Sequence, residues 1–541
     1  ASPRELLLWQ HVFVVRPRFC HRSEYGPVPE QPPQTGPHSA SSADGKPFLV
    51  PCEFHRRNAI PSDIPPNYSL PAEFNLSMMS QENKTKDDQV SRRRFVAGAA
   101  TVGAVAAVLP VEMCAQVAGS DAVKVGLIGL GGRGSGAIIQ NLTANDSARL
   151  IAVADAFEDK IDGTGPRASG LPKITEQIEK LGKSSQLDLP KSRQYAGFDA
   201  YKGVIDECDL VVIATPPGFR PIHFDYAVQQ GKHIFMEKPV CVDAWGFNKV
   251  IEAAKTADQK NLKVVVGLQR HYQNVYLEAF KKVHEEKLIG DIVSSQVWWN
   301  GSRPWIVDRQ PGWTEMEYQM RNWYHFAWLC GDHIAEQHVH NIDVINWFVS
   351  GDSTAGGNPV IAQGMGGRAG TEPKTVGEIF DHHYVEFRYG AEHNNAIMNS
   401  QCRQIKGTWS KVAEEIVGSD GVLQLGAGRI TDFKGKVKWQ YRADRAGDPN
   451  PYQVEHDALY QSIKDDKPMN NAYYGAKSSF STVLGRLASY SGQEVKWDDA
   501  VKSNFTIMPA DYDMNAEAPV KPGPDGNYQV PVPGQFKLPW A

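Results

Sequence analysis

Short apolar runs alternate with stretches of helical spacing along residues 123–267 of this chain. The runs are Val123–Ile128, 150–154, 209–214, His233–Met236 and 263–267. Brief runs without a polar face fit strands buried on both sides, and their alternation with helices predicts a parallel, doubly wound sheet. Farther on, residues 334–348, 452–463 and 474–491 carry helical spacing as well. This divides the α/β chain into a first unit over 121–270, a second over 271–505 and a tail over 506–541. The tail is rich in Pro and Gly, and its alternating Tyr528, Val530 and Val532 suggest an extended arm that wraps a neighbouring subunit.

Residues 1–78 lack any such period. They are rich in Pro, Ser, Arg and His, with no methionine before Met78 and Met79, so they are expected to be a disordered stretch or a mis-annotated extension upstream of the true start. The segment 79–120 reads differently. Its Ser91-Arg92-Arg93-Arg94-Phe95-Val96, followed by an Ala/Gly/Val run to Leu109, resembles a twin-arginine export signal. The run is short of the ~20 apolar residues a membrane span needs, so no stable membrane anchor is expected. Export by the twin-arginine machinery implies a periplasmic protein.

Composition narrows the function classes. At 541 residues the chain exceeds what one core usually serves, which agrees with two domains. A net charge of −5 leaves no basic excess for a phosphate backbone, which excludes nucleic acid as an expected partner. The seven cysteines form no C-x-x-C pair and read as buried thiols.

Candidate chemistry begins at the end of the first strand, where Gly129-Leu130-Gly131-Gly132-Arg133-Gly134 opens a helix. Gly129 permits a tight turn, Gly131 lets backbone approach a pyrophosphate, and Gly134 allows close packing of helix on strand. Arg133 lies within the same loop. The second run ends in Asp155, where a carboxylate would hold the adenosine ribose hydroxyls and repel a 2′-phosphate. NAD is therefore expected rather than NADP. In a doubly wound sheet ligands sit beyond the carboxyl ends of the strands, so Thr215, Pro216 and the residues after Met236 should face the cofactor.

Those residues are Glu237-Lys238-Pro239, preceded by Gly231-Lys232-His233-Ile234-Phe235-Met236. Together with the glycine motif, this block resembles the signature of the Gfo/Idh/MocA family, the relatives of glucose-fructose oxidoreductase and inositol dehydrogenase. The resemblance covers roughly residues 122–500. It implies an N-terminal Rossmann domain and a C-terminal α+β domain whose largely antiparallel open sheet walls a substrate cleft and often serves an oligomer interface. A homo-oligomer is accordingly expected. It further implies that Lys238 is catalytic and close to the nicotinamide, a role in which an ammonium would stabilise developing alkoxide charge. Glu237 reads as a structural partner of a nearby cation.

A second ionisable block is Asp332-His333-Ile334-Ala335-Glu336-Gln337-His338-Val339-His340-Asn341-Ile342-Asp343. On one continuous helix, His333, Glu336, His340 and Asp343 share a stripe. The family resemblance pairs Glu336 with a catalytic His340, although relatives carry Asp where Glu336 stands. Histidine suits proton transfer near neutrality. A metal site is not expected, because the spacing matches no known ligand motif. Six tryptophans lie between 298 and 328; they suit stacking on sugar rings, although more than half are expected in core or interface. Trp323, Arg303 and Asp343 are the expected substrate contacts, with Arg321 and Asn300 also within reach of hydroxyls.

The leading reading is hydride transfer between NAD and a sugar- or polyol-like alcohol. An exported enzyme meets little free nucleotide, so NAD is expected to remain tightly bound. Redox-assisted glycoside cleavage and a non-enzymatic sensor that kept the cofactor fold remain open alternatives.

Overall fold

The computed structural model describes residues 122–167, 169–370 and 373–541. The expected export signal, its preceding extension, and Cys20, Cys52 and Cys114 lie outside them. Among the described residues no helix is long and apolar enough to cross a membrane. Cys208, Cys241, Cys330 and Cys402 are buried free thiols.

Six parallel strands form the first sheet: β1 (Val123–Ile128), β2 (Ala148–Asp155), β3 (Gln194–Ala196), β4 (Leu210–Ile213), β5 (His233–Met236) and β6 (Val264–Val266). Their order is β3-β2-β1-β4-β5-β6, the Rossmann arrangement, with the crevice where the order reverses between β1 and β4. Leu127, Val153, Val212 and Phe235 are fully buried on one side of the sheet, and Ile128, Ala154, Ile213 and Met236 are buried on the other. That two-sided burial is why these strands read as unbroken apolar runs.

The second sheet has nine strands: β7 (Ile292–Gly301), β8 (Ile361–Gly367), β9 (His382–Arg388), β10 (Ile397–Gln404), β11 (Lys411–Gly418), β12 (Val422–Gln424), β13 (Arg429–Thr431), β14 (Val437–Gln440) and β15 (Val495–Lys496). Only β7 and β10 pair in parallel; every other pairing is antiparallel. Val385, Phe387, Met398 and Ile416 alternate with exposed or half-buried neighbours, so one face is packed and the other open.

Four helices connect these sheets to the cleft: α1 (Gly132–Ala144), α2 (Val339–Ser350), α3 (Pro451–Lys464) and α4 (Ala472–Ser491). The last two follow the predicted spans closely. Helix α3 packs against α1, its buried Leu459 and Tyr460 joining the Rossmann core, although it follows the second sheet in sequence.

One expectation changes. The helix predicted over 334–348 is two pieces, His333–Glu336 and α2, because the fully buried His338 turns inward to bond Ser400 Oγ at 2.9 Å. The tail packs on its own chain. Thr314 donates to the Met514 oxygen, the Tyr528 N–H donates to the Lys374 oxygen, and Tyr528 is buried against Phe326.

Candidate active site

Two positions of the glycine loop admit only glycine. Gly129 has φ +94°, and a Cβ there would stand 2.7 Å from the Ala214 oxygen; at Gly134 a Cβ would stand 1.9 Å from the Gly129 oxygen. A Cβ at Gly131 would meet nothing within 4 Å, so the backbone at this helix start is open to a pyrophosphate. Asp155 closes the adenosine end. Its carboxylate accepts from the Leu130 N–H at 2.8 Å and the Phe157 N–H at 3.3 Å. Burial raises its pKa, and those two bonds oppose the rise. These features fit a bound dinucleotide, with Gly131, Gly134 and Asp155 as its holders.

The loop opens into a cleft of about 820 Å³ shared by the two sheets. Lys238 lines it, just beyond β5. Its ammonium donates to the Glu336 main-chain oxygen at 2.6 Å and to the Glu336 carboxylate at 3.3 Å. His340, on the first turn of α2, stacks on Trp299 with centroids 5.8 Å apart. Burial holds the imidazole well below the usual histidine range, and the charges of Lys238, Arg270 and Arg133 push it further. It is a neutral base at neutral pH. Burial raises the Glu336 carboxyl, while Lys238 and Arg220 pull it down. The arrangement thus brings a cation, a carboxyl and a neutral imidazole to one wall of a dinucleotide cleft, a set able to move a proton and stabilise an oxyanion.

Residues 123–268 match the model of the Gfo/Idh/MocA "Oxidoreductase family, NAD-binding Rossmann fold". The match spans the first domain. The chain is accordingly a nicotinamide-dependent oxidoreductase. It is 26% identical over 308 residues to an inositol 2-dehydrogenase of Rubrobacter xylanophilus, covering 57% of this chain and 72% of that one. A glycosyl hydrolase family 109 protein of Solibacter usitatus is 31% identical over 119 residues, 22% of this chain and 24% of its own length. The solved aldose-aldose oxidoreductase from Caulobacter crescentus, complexed with glycerol, shares the fold at a TM-score of 0.50. Its identity is 16%, over 69% of this chain and 99% of that one.

In this oxidoreductase Thr215, Pro216 and Trp323 also line the cleft, as do Gly129, Gly131, Gly132, Arg133 and Gly134. Glu237 is tied to Arg133, and Gly267 leaves it room: a Cβ there would lie 2.9 Å from its carboxylate. Arg133 spends its guanidinium on Glu237, Gln140 and the buried Glu455 of α3, under the Tyr452 ring, so it ties α3 to the loop. Three predicted contacts fall elsewhere. Asp343 is buried, accepting from Ser478 Oγ at 2.8 Å and lying 2.9 Å from His271 Nε2, because the break before α2 turns it from the cleft. Arg303 bonds the Val376 oxygen and lines a separate surface pocket. Asn300 is fully buried within the second sheet. Arg321 does line the cleft but is engaged by Asp159 and Glu317.

The tryptophans divide evenly. Trp299, Trp305 and Trp323 line the cleft, whereas Trp298, Trp313 and Trp328 do not. Several lining residues escaped the sequence reading, among them Arg167, Arg220, Tyr324 and Gln337. For Arg220 a signal existed: it follows Thr215-Pro216-Pro217 at the end of β4, where ligands are expected.

Proposed function

We propose that this oxidoreductase exchanges a hydride between NAD and a sugar- or polyol-like alcohol. The reading is carried by the meeting of Lys238, Glu336 and His340 in the cleft that begins at the glycine cradle. When bound, the nicotinamide supplies the hydride acceptor or donor. Neutral His340 takes the hydroxyl proton as the alcohol is oxidised. Lys238, released from Glu336, donates to the reacting oxygen and stabilises its developing charge. Glu336 then accepts from a neighbouring hydroxyl, and the indoles of Trp299 and Trp323 offer apolar faces to a ring. The names of the inositol 2-dehydrogenase and aldose-aldose oxidoreductase relatives support the substrate class. Asp155 supports NAD over NADP.

The test is a panel of polyols and aldoses offered to the purified protein while the reduced-nicotinamide absorbance band is followed. Growth of that band with one class supports the reading. The glycosyl hydrolase family 109 relative favours a second one, redox-assisted glycoside cleavage. Release of an aglycone without net NAD consumption would select it. Binding of a sugar with neither outcome would select a sensor.

Two further parts of the reading concern place and assembly. Residues 91–96 support export through the twin-arginine machinery to the periplasm, and Arg92→Lys with Arg93→Lys should leave the protein in the cytoplasm. On the open face of the second sheet, Met365, Tyr384, Gln401 and Trp298 form one row in register across β8, β9, β10 and β7. This half-apolar row supports a second copy of the chain as its cover, to be checked by light scattering of the parent and of Met365→Lys.

A further inference from the structure

Arg220 begins the helix Arg220–Gln229 and is 4% exposed, yet it lines the cleft. A guanidinium so deeply buried loses hydration worth several kcal/mol, and fixed acceptors or counter-charges must offset the loss. Here the offset comes from the reacting end of the site. Nη1 donates to the Pro239 main-chain oxygen at 2.5 Å, one residue beyond Lys238. Its counter-charges are Glu336 and Glu237. Its Nε and the Glu336 Oε2 are both buried without a hydrogen-bond partner.

From this geometry we infer that Arg220 is a positioning residue of the reaction centre, fixing the main chain beside Lys238 and setting the surroundings of the Glu336 carboxyl. The inference rests on the proposed hydride transfer for its kinetic consequences. Glu336 is faced by Lys238 and Glu237 from the end of β5, by Arg220 from its helix, and by Tyr324 and Cys330 from the segment before it. Lys238 and Arg220 are the cations in that set, and both oppose the effect of burial. Without Arg220 the carboxyl would take up a proton at higher pH. A neutral Glu336 would no longer be the charged partner of Lys238, and its remaining proton would compete with the substrate hydroxyl as donor. The hydrogen bond of Arg220 is to Pro239 and not to the glycine loop, so nucleotide binding is expected to depend on it little.

The test compares Arg220→Met and Arg220→Lys with the parent as the full chain loaded with NAD. Three readouts are taken: the pH profile of kcat/KM, the split between kcat and KM, and the titration of the Glu336 carboxyl band by infrared difference against Glu336→Gln. Arg220→Met should lower kcat about 10- to 100-fold, within the range of a lost electrostatic contribution. It should move both the acid limb of the profile and the carboxyl titration to higher pH, while NAD affinity stays within about threefold of the parent. Arg220→Lys retains the charge and should restore the position of both, but with incomplete recovery of kcat because a lysine does not reproduce the planar fork. An unmoved carboxyl titration in Arg220→Met overturns the inference, as does an unchanged kcat. If Arg220→Met does not fold, the folded Arg220→Lys and Glu336→Gln decide: a Lys variant with parental kcat and titration overturns the fixing role. A parent that transfers no hydride, yet whose carboxyl titration moves in Arg220→Met, would keep the role of Arg220 and sink the oxidation chemistry instead.

Discussion

The guanidinium of Arg167 lies 3.6 Å above the centroid of Trp305, and both residues line the cleft. Arg167 belongs to the segment after β2, Trp305 to the tryptophan-rich segment after β7. Arg321 repeats the connection: it sits 3.0 Å from the Asp159 carboxylate and stacks over Phe157 at 4.0 Å. The tail backs this wall, since Gln319 donates to the Val520 oxygen and Tyr528 bonds Glu315. These contacts tie the segment that follows Asp155 to the segment that follows β7.

Protein purified without added nucleotide should therefore carry NAD through dialysis. Trp305→Ala should hasten its loss about 10-fold, since a partly desolvated cation–π contact is worth ~1–2 kcal/mol and each ~1.4 kcal/mol is a factor of ten. Nucleotide released after denaturation, measured against dialysis time, gives the rate. Equal retention in parent and variant would remove this bridge from the account of cofactor holding.

Lys238→Ala and His340→Ala should each cut turnover by about 100-fold or more while leaving NAD bound, because each removes one proton-handling or charge-stabilising group without touching the cradle. Turnover near the parental value in either variant excludes that side chain from the chemistry. The same pair informs the pH profile. His340 is held neutral far below the ordinary histidine pKa, so oxidation should persist as pH falls through ~6.5, where a free imidazole would already be protonated.

Legibility in the sequence followed how local each signal is. Residues 129–134 and Asp155 could be read because a strand, a turn and a helix start dictate them within one unit. Lys238 was equally plain at a strand end. Glu336 and His340 were found by helical spacing, but the same spacing misplaced Asp343: nothing in the sequence reports that His338 bends the chain toward Ser400. Arg303 and Arg220 show the limit from the other side. Each precedes a proline, Arg303 in a loop and Arg220 at the start of its helix, and only packing decides which is turned into the cleft. The docking of the tail is not legible for a similar reason, since Tyr528 finds its partners on segments more than a hundred residues earlier.

Asp155→Asn is the sharper probe of cofactor choice, because an amide oxygen can still accept from Leu130 and keep the loop closed. It removes the charge that favours ribose hydroxyls and repels a 2′-phosphate. Preference for NAD over NADP should fall about 10- to 100-fold, the value of one charge-assisted hydrogen bond. Lys160 and Lys173 line the same end and would then meet the phosphate. Dissociation constants for both nucleotides check this, and an unaltered ratio would show that selectivity is set elsewhere.

Acid should destabilise the fold from about pH 6.5 downward. Burial lowers His223 and His325 to about 3, and His233 and His333 to about 4, from an ordinary 6.5. Each is neutral in the folded chain and gains a proton on unfolding at any pH between its folded and unfolded pKa. The unfolded state then binds more protons, so stability is complete above pH 6.5 and falls as pH drops below it, by up to ~1.4 kcal/mol per pH unit per residue. Glu378 works in the opposite sense. Burial raises it to about 7, so the folded chain takes up its proton first and gains stability as pH falls toward 4.5. Burial raises Asp155, Asp243, Glu336 and Glu455 as well, but it also lowers His284, His338, His340 and His456, so the histidines outnumber the carboxyls. Melting temperature followed by scanning fluorimetry should therefore decline steadily from pH 6.5 to 4.5, and His223→Gln, which has no proton to gain, should flatten the slope. A melting temperature that is level across that window would mean these imidazoles are protonated in the folded protein.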